Sequence, residues 1–498
     1  MINRFSRVVF LDKTHARSIK LIDMSSKGGM IVANLATAVS SLVDAKKYAT
    51  IRDILSTMNA ADIALLFDDL PSQMIPLLFR LLPKELAAMT FVEMETDQQE
   101  LLVKGFSDSE LKEVIDELYI DDAVDIVEEM PANVVRRILG QADPDTRKMI
   151  NELMKYPEDS AGSIMTVEFV ELRPNLTVED AIKAIRRTGV DKETINICYV
   201  TRADRTLYGF ITIRRLILAN PNTLIGDLAD TNVIYCSTMD DQETVAKMLQ
   251  KYDLVALPVV DGEKRLVGIV TIDDAIDVLQ DEVTEDIEKM AAMTPSDKPY
   301  LKTSTVSLFL HRIPWLGVLM LASTFTELII NYYTQRLSMF GEIAGAMLLA
   351  CIPMLMGTGG NSGSQASVTV IRGLSLGQIE FRDILAVIWK EFRVSILCGS
   401  ALAVANFAKM MLMNTVVYHH SGADFTAYLF VSISICFAIF ATVFLAKLIG
   451  CTLPILAKMI GFDPAVMASP FITTIVDVTT LLLLFGIASV VMSSVAVL

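Results

Sequence analysis

The residues best suited to cation chemistry interrupt a long apolar stretch, in the segment PMLMGTGGNSGSQASVTVIRG at 353–373. Its oxygen-bearing side chains include Asn361, Ser362, Ser364 and Gln365. In a bilayer core an unsatisfied amide or carbonyl costs several kcal/mol, so polar backbone there must be buried in protein or line a water-filled cavity. We therefore predict a broken helix whose carbonyls and side chains face a hydrated or partly hydrated hard cation.

A second candidate is Asp477, the only ionisable side chain in the apolar run that ends the chain. A carboxylate at the centre of a membrane helix costs roughly 2.5–3.5 kcal/mol, so it normally faces a cavity, a partner or an ion. We predict that Asp477 belongs to an ion pathway; the alternative is a structural carboxylate bonded to Ser or Thr of a neighbouring helix. Asp463, just before this run, is either a cation ligand or a helix cap ahead of Pro464.

The donor atoms favour particular metals. Neither Cys nor His is interleaved with these polar residues, which weighs against zinc, copper or nickel, whereas carboxylate, carbonyl and water suit Mg²⁺, Ca²⁺ or Mn²⁺. Mg²⁺ dehydrates reluctantly and is usually held by one or two carboxylates plus retained waters. One Asp per subunit, doubled by symmetry, fits that arrangement.

The sequence does not support catalysis or nucleic-acid binding. None of the four histidines lies beside a plausible Ser or Cys nucleophile, and the six cysteines show no metal-ligand spacing. Gly359 and Gly363 belong to no dinucleotide motif, but they form GxxxG, for which close helix packing is an alternative explanation. The net charge of −16 lacks the basic footprint of a nucleic-acid partner.

Charge and hydropathy divide the chain into an acidic soluble part and a membrane part. The acidic excess, 59 acidic against 43 basic residues overall, lies before residue 301. Five apolar runs follow, each reaching the roughly 20 residues that cross a bilayer. Their predicted limits are 308–333, 342–371, 384–413, 425–449 and 466–494. No secretory signal is evident, and basic residues in the loops 372–393 and 447–463 place these loops and the N-terminus in the cytoplasm and the C-terminus outside.

The soluble part begins with helical periodicity and repeated Leu-Pro or Met-Pro stops over residues 41–160. ADIALLFDDLP (61–71) recurs as DDAVDIVEEMP (121–131), which predicts short helices stacked in a superhelical repeat. Residues 1–40 form an extension without a clear period, with a helix expected at 30–43.

A different unit occurs twice in residues 161–280. NICYVTRADRTLYGFITIRRL (196–216) parallels ALPVVDGEKRLVGIVTIDDAI (256–276), and each is preceded by a helix. These β-α-β-β-α units, at about 161–224 and 225–280, resemble a tandem pair of cystathionine-β-synthase (CBS) modules, regulatory domains that often bind adenosyl ligands.

The CBS resemblance implies one nucleotide site at most. The family pattern Gly-φ-φ-Thr/Ser-x-x-Asp, whose Asp holds a ribose, is matched by Gly268, Thr271 and Asp274 in the second unit, whereas the first unit has Arg215 at the Asp position. Thr271 and Asp274 would therefore bind ATP or another adenine nucleotide.

Three segments extend the resemblance to the MgtE family of bacterial magnesium transporters and channels, over nearly all of the chain. YPEDSAGSIMT (156–166) is similar to its junction between N domain and first CBS module. IPMLMGTGGNSGSQASVTVIRGL is similar to its second-helix signature, with Ser364 replacing a more usual asparagine, and GFDPAVMASPFITTIVDVTT to its fifth-helix signature. The implied fold is a multidomain membrane protein with an all-α superhelical N domain (41–160), α/β tandem CBS domains (161–280), a connecting helix or linker (281–303) and a five-helix α transmembrane domain (304–498).

The resemblance also implies a homodimer in the bacterial inner membrane, with a Mg²⁺ pore lined by the second and fifth helices. Asp477 would bind the ion and Asp463 would lie near the cytoplasmic mouth. The further implied pore residues are Gly360, Asn361, Gln365, Ser469 and Thr473.

The same resemblance implies carboxylates that bind intracellular Mg²⁺ and hold the gate shut. Clustered carboxylates repel one another until divalent ions bridge them, so ion binding stabilises the closed arrangement. The candidates are Asp121, Asp122, Asp125, Glu128, Glu129, Asp273, Asp274, Asp277, Glu282, Glu285 and Asp286.

Two alternatives to a Mg²⁺ channel gated from the cytoplasm stay open at this point. One is a secondary exchanger of divalent cations for Na⁺ or H⁺, with Asp477 as the coupling carboxylate. The other is a membrane-anchored nucleotide sensor without transport, in which Asp477 has no evident purpose.

Overall fold

The structure is a computed structural model that describes residues 28–296, 300–301, 303–335, 342–467 and 469–496. Most of the predicted extension 1–40 lies outside the described residues, and its expected helix at 30–43 falls within the helix Gly28–Asp44. The chain forms two compact units, Met1–Val278 and Leu279–Leu498.

The first unit begins with a stack of short helices. Within the described residues these are α1 (Gly28–Asp44), α2 (Tyr48–Leu55), α3 (Ala60–Asp68), α4 (Ile75–Phe79), α5 (Lys84–Val92), α6 (Thr96–Gly105), α7 (Asp108–Ile115), α8 (Ile120–Glu129), α9 (Ala132–Gln141) and α10 (Pro144–Leu153). Helices two apart in sequence pack together, α3 on α5, α5 on α7 and α7 on α9. The predicted superhelical stack is confirmed, and its two repeated segments are α3 and α8.

Local signals set the ends of these helices. Ser107 and Glu110 form a capping box at the start of α7, and Asp143 accepts from two backbone N–H groups at the start of α10, where Pro144 follows. One apolar face per helix then closes a continuous core that includes Phe67, Phe91 and Leu102.

Two three-stranded sheets with flanking helices confirm the paired CBS units. Their elements are β1 (Phe169–Leu172), α11 (Val178–Thr188), β2 (Thr194–Thr201), β3 (Leu207–Thr212), α12 (Ile213–Leu218), α13 (Ile225–Leu228), β4 (Cys236–Ser237), α14 (Gln242–Tyr252), β5 (Ala256–Val260), β6 (Leu266–Thr271) and α15 (Ile272–Met290). In each sheet the first strand is parallel to the second and the second antiparallel to the third. Gly209 and Gly268 occupy matching positions, where a Cβ would come within 3 Å of the backbone oxygens of Asp230 and Thr166, respectively.

In the described part of the chain five long apolar helices follow, as predicted. They are α16 (Thr305–Thr334), α17 (Glu342–Ser375), α18 (Ile384–Met413), α19 (Gly422–Met459) and α20 (Ser469–Ala496). Helix α17 packs against α19 and α20, α18 packs against α19, and α16 packs against α20. Helices α19 and α20 also pack against each other, so the helix that carries the polar segment packs against a pair of helices that are themselves in contact.

Candidate functional site

The polar segment does not break its helix, so this prediction was wrong. Residues 353–373 lie within the continuous helix α17, whose carbonyls are directed at N–H groups four residues later. The backbone is therefore satisfied inside the helix, and it is the side chains that remain available to a cation.

Gly359, Gly360 and Gly363 of α17 serve close packing, the alternative that the GxxxG spacing suggested. A Cβ on Gly359 would lie 2.7 Å from Thr442 Cγ2 and 2.9 Å from Val476 Cγ1, and one on Gly360 would lie 2.8 Å from Thr473 Cγ2. Helix α19 approaches even more closely, because a Cβ on Gly450 would lie 2.2 Å from the carbonyl oxygen of Gly363. Larger side chains here would force α17, α19 and α20 apart.

Three of the predicted pore residues meet at one open cavity of ≈ 540 Å³ on the membrane unit. It is lined by Asn361, Ser364, Gln365, Val368, Thr369 and Ser469. The hydroxyls of Ser364 on α17 and Ser469 on α20 are 2.8 Å apart and join the two helices at this point. The amide side chains of Asn361 and Gln365 are exposed, so they are free to contact a hydrated ion.

Asp477 lies on α20 at a spacing of four and eight residues from Thr473 and Ser469, which places all three near one face of the helix. It is not among the residues that line the cavity, since it lies two turns, about 12 Å, further along α20 than Ser469. Its Oδ1 atom is buried and has no hydrogen-bond partner within the described residues. The alternative of a carboxylate bonded to a neighbouring Ser or Thr is therefore not seen for this oxygen.

Asp463 precedes a 3-10 turn, Pro464–Met467, that leads into α20. Its Oδ1 accepts a hydrogen bond of 2.8 Å from the N–H of Ala465, as the cap alternative predicted. Its Oδ2 lies 2.8 Å from the ammonium of Lys289 on α15. Sequence reasoning missed Lys289 because its partner is far away in the chain.

A buried ion pair in the membrane unit was also missed. Lys447 was assigned to a cytoplasmic loop, but α19 continues to Met459, and Lys447 is only 5% exposed. Its ammonium lies 3.7 Å from the carboxylate of Glu391 on α18. The signal was present in the sequence, since a carboxylate and an ammonium within apolar helices usually pair.

The acidic residues of α8 meet those that follow β6, within the first unit. Burial and then the charge of Asp122 raise the pKa of Asp121 well above its ordinary value. Burial and the charge of Asp274 likewise raise the pKa of Asp122 to about 6 and that of Asp125 to about 7. Asp273 adds to the repulsion at Asp122. These five predicted residues therefore form one electrostatic cluster, which we name the α8 cluster.

Two carboxylates of the first CBS unit, Glu193 and Glu168, extend the α8 cluster and were not predicted. Burial and the charge of Asp273 raise the pKa of Glu193 to about 7. Glu168 accepts a hydrogen bond of 3.1 Å from the N–H of Ile120, the first residue of α8, and its charge adds to the raised pKa of Asp122. Both residues are more than 35 positions from α8 in the sequence, so only the folded chain reveals their role.

Three further regulatory candidates adjoin the α8 cluster, since the charges of Glu128 and Glu129 add to the raised pKa of Asp125 and that of Asp277 adds to the raised pKa of Asp274. Glu128 also interacts with Glu158, and Glu129 accepts a hydrogen bond of 2.5 Å from Thr96. Glu282, Glu285 and Asp286 lie on the last turns of α15. In the described part of the chain, no group of three or more His, Cys, Asp or Glu side chains already has the geometry of a metal site.

The predicted nucleotide residues are adjacent. The Thr271 hydroxyl donates a hydrogen bond of 2.6 Å to Asp274 Oδ2. Asp274 is also a member of the α8 cluster. The same carboxylate is therefore predicted to bind both intracellular Mg²⁺ and an adenine nucleotide.

Comparisons with known proteins follow the same division of the chain. Residues 352–487 match the family model of the MgtE divalent cation transporters, 58–159 that of the MgtE intracellular N domain, and 161–221 and 225–281 that of the CBS domain. The chain is 34% identical to the magnesium transporter MgtE of Thermus thermophilus, over 93% of this chain and 99% of the relative. It is 30% identical to the magnesium transporter MgtE of Bacillus subtilis, over 89% and 94%. A solved structure of the cytosolic domain of the Mg²⁺ channel MgtE in complex with ATP is 35% identical, with a TM-score of 0.47, over 49% of this chain and 99% of that one.

Proposed function

The chain belongs to the MgtE family of magnesium transporters, and from this premise we propose that it is a Mg²⁺ channel whose ion path follows α17 and α20. The observation that carries the proposal is the buried oxygen of Asp477 on an apolar helix, which has no hydrogen-bond partner among the residues that the structure describes. Such an oxygen is costly in a bilayer unless a cation or water approaches it. The ion would contact Ser469, Thr473 and Asp477 in turn along α20.

The cavity fits a cation that keeps its water. Its volume of ≈ 540 Å³ is large compared with the roughly 30 Å³ that one water occupies. Asn361 and Gln365 offer amide oxygens to such water, and Mg²⁺ prefers oxygen ligands and sheds water slowly. We propose that the ion passes through the cavity with its water and then contacts the carboxylate of Asp477.

We propose that two copies of the chain enclose the path. Asn361 and Gln365 are exposed on a membrane helix, and so is Glu327 on α16, a helix without buried side chains in the described structure. Polar groups at membrane depth require a protein or water-filled surface opposite them. A second copy of the chain supplies that surface, and light scattering of the detergent-solubilised protein should give the mass of a homodimer.

We propose that the α8 cluster closes the channel when intracellular Mg²⁺ is high. Burial is the main cause of the raised pKa values of its carboxylates, and their mutual repulsion without cations raises these values further. Divalent ions between α8 and Asp274 would remove that repulsion and stabilise the compact soluble unit.

We further propose that an adenine nucleotide binds at Thr271 and Asp274. We also propose that the soluble part lies in the cytoplasm of a bacterium and that the C-terminus lies outside.

The channel proposal is tested by Mg²⁺ uptake into proteoliposomes under an inside-negative potential, with no Na⁺ or H⁺ gradient. A channel takes up Mg²⁺ under these conditions. Uptake that begins only when a Na⁺ or H⁺ gradient is added would identify an exchanger instead. If no uptake occurs under any gradient, the nucleotide sensor without transport is the hypothesis that remains.

A further inference from the structure

A groove between α18 and α19 opens on the surface of the membrane unit. Its cavity of ≈ 470 Å³ is lined mainly by apolar side chains, including Ala403, Val404 and Phe407 of α18 and Ile433, Phe437 and Phe440 of α19. Val404 and Phe437 are 70% and 61% exposed. Lipid tails are as apolar as these side chains, so the groove suits a hydrocarbon chain.

Two basic side chains lie near the start of α18. Lys390 and Arg393 are exposed, and in the described part of the chain neither forms an ion pair with a carboxylate. Glu391, which lies between them in sequence, pairs instead with Lys447 of α19. Basic groups on membrane helices at the cytoplasmic side attract anionic lipid head groups. The start of α18 therefore has positive charge that complements such a head group.

A series of aromatic rings connects the basic end of α18 with the groove. The guanidinium carbon of Arg393 lies 5.8 Å from the centroid of the Trp389 ring, and Trp is a residue typical of the membrane–water interface. Trp389 stacks on Phe392 with the ring centroids 5.2 Å apart, and Phe392 packs against the edge of Phe444 on α19 at 5.6 Å. Phe444 is one helical turn from Phe440, which lines the groove. The basic residues and the groove therefore belong to one continuous surface.

The dimensions of this surface match one lipid molecule. Arg393, Ser400 and Phe407 are spaced by seven residues, so they share one face of α18, and the last two line the groove. They lie about 10 and 21 Å deeper along the helix than Arg393, and residues 394–408 have no charge. One leaflet, from its head groups to the bilayer midplane, measures about 20–22 Å.

We propose that this surface binds an anionic phospholipid, whose phosphate contacts Arg393 and Lys390 and whose acyl chain occupies the groove. Charge selects the lipid class, because a zwitterionic head group of the same size offers the two cations no net negative charge. The groove then adds apolar contact that a free phosphate ion would not make. The inference requires only that α18 and α19 span the membrane, so it goes beyond the channel proposal and does not depend on it.

The test is native mass spectrometry of the full-length protein in non-ionic detergent, titrated with dioleoyl phosphatidylglycerol or with dioleoyl phosphatidylcholine, which has the same chains and no net charge. Wild type should bind the glycerol lipid more tightly than the choline lipid. Arg393→Met keeps an apolar stem and removes the charge, so it should weaken binding of the glycerol lipid about fivefold, the effect of one basic residue near an anionic head group. Arg382→Met is the matched control, because Arg382 already pairs with Glu380 at 2.9 Å, and it should bind both lipids like wild type.

A second variant tests the groove itself. Ala403→Phe fills it and leaves the cations in place, so it should weaken binding of both lipids, whereas Ala405→Phe, at an exposed position outside the groove, should not. Lys390→Met decides the role of charge if Arg393→Met does not fold.

Three results would overturn the lipid site. They are equal binding of the two lipids by wild type, an undiminished preference for the glycerol lipid in Arg393→Met, and wild-type lipid binding by Ala403→Phe. If Ala403→Phe instead lowers the mass of the detergent-solubilised protein, the groove is a contact between copies of the chain and the lipid proposal is wrong. The measurement requires no ion flux, so a wild type without Mg²⁺ uptake would refute the channel and leave the lipid site to be judged separately.

Discussion

Replacing Asp122 by asparagine should stabilise the soluble unit in the absence of Mg²⁺. Burial and neighbouring carboxylates raise the pKa of Asp122 from its ordinary 3.8 to about 6. Each unit of such a difference corresponds to about 1.36 kcal/mol, so keeping Asp122 ionised at neutral pH costs the compact state up to about 3 kcal/mol. Asparagine has nearly the same shape and no charge, so it removes this cost.

The sign of the pH dependence follows from the raised pKa. The folded state binds the extra proton between pH 3.8 and about 6, so the free energy of opening falls as pH rises through this window. The advantage of Asp122→Asn should be complete at pH 7.5. At pH 5 it should be about half as large, because the folded wild type is then mostly protonated.

Amide exchange in α8 measures this free energy directly. In the full-length protein without Mg²⁺ at pH 7.5, Asp122→Asn should slow exchange of the Ile120–Glu129 amides by up to about 100-fold, since 1.4 kcal/mol is about tenfold. MgCl₂ should slow the wild type more than the variant. Asp62→Asn on α3, an exposed residue outside the α8 cluster, is the control and should change neither rate. Equal exchange in Asp122→Asn and wild type, or an advantage that grows as pH falls, would refute the electrostatic account.

Three further variants test packing, buried charge and nucleotide binding. Gly450→Ala places a methyl 2.2 Å from a carbonyl of α17 and should lower the stability of the purified protein by about 2 kcal/mol in thermal unfolding, whereas Gly486→Ala, which has open space, should not; equal effects would argue against the close contact. Lys447→Met should destabilise the protein by about 3–5 kcal/mol because Glu391 loses its partner, and the double replacement with Glu391→Met should recover most of this; a double variant as unstable as the single one would contradict the ion pair. Thr271→Val should weaken adenine nucleotide binding several-fold in calorimetry, and unchanged binding would exclude the Thr271–Asp274 site.

The sequence was informative where the signal is periodic or local. Hydropathy over about twenty residues identified all five membrane helices, and two near-copies of one β-α-β-β-α pattern identified the paired sheets. The predicted end of α19 was too early, because a charged residue such as Lys447 ends an apolar window even when Glu391 pairs with it in the folded chain.

The rest depended on contacts between distant segments. The glycines of α17 suggested a broken helix because their neighbours, Thr473 on α20 and Gly450 on α19, are far away in sequence. The pairing of Lys289 with Asp463 and the approach of Glu193 to α8 are equally invisible in the linear chain. By contrast, Asp477 could be found from sequence, since a lone carboxylate in an apolar helix is conspicuous by composition alone.

The most direct test of the central claim is Mg²⁺ uptake through Asp477→Asn, compared with wild type in proteoliposomes under an inside-negative potential alone. Asparagine keeps the size of the side chain and removes the charge that would meet the ion. Asp424→Asn, in the first turn of α19, is the matched control. We expect wild-type and Asp424→Asn protein to take up Mg²⁺ and Asp477→Asn to lose uptake. Uptake that persists undiminished in Asp477→Asn would contradict an ion path along α20.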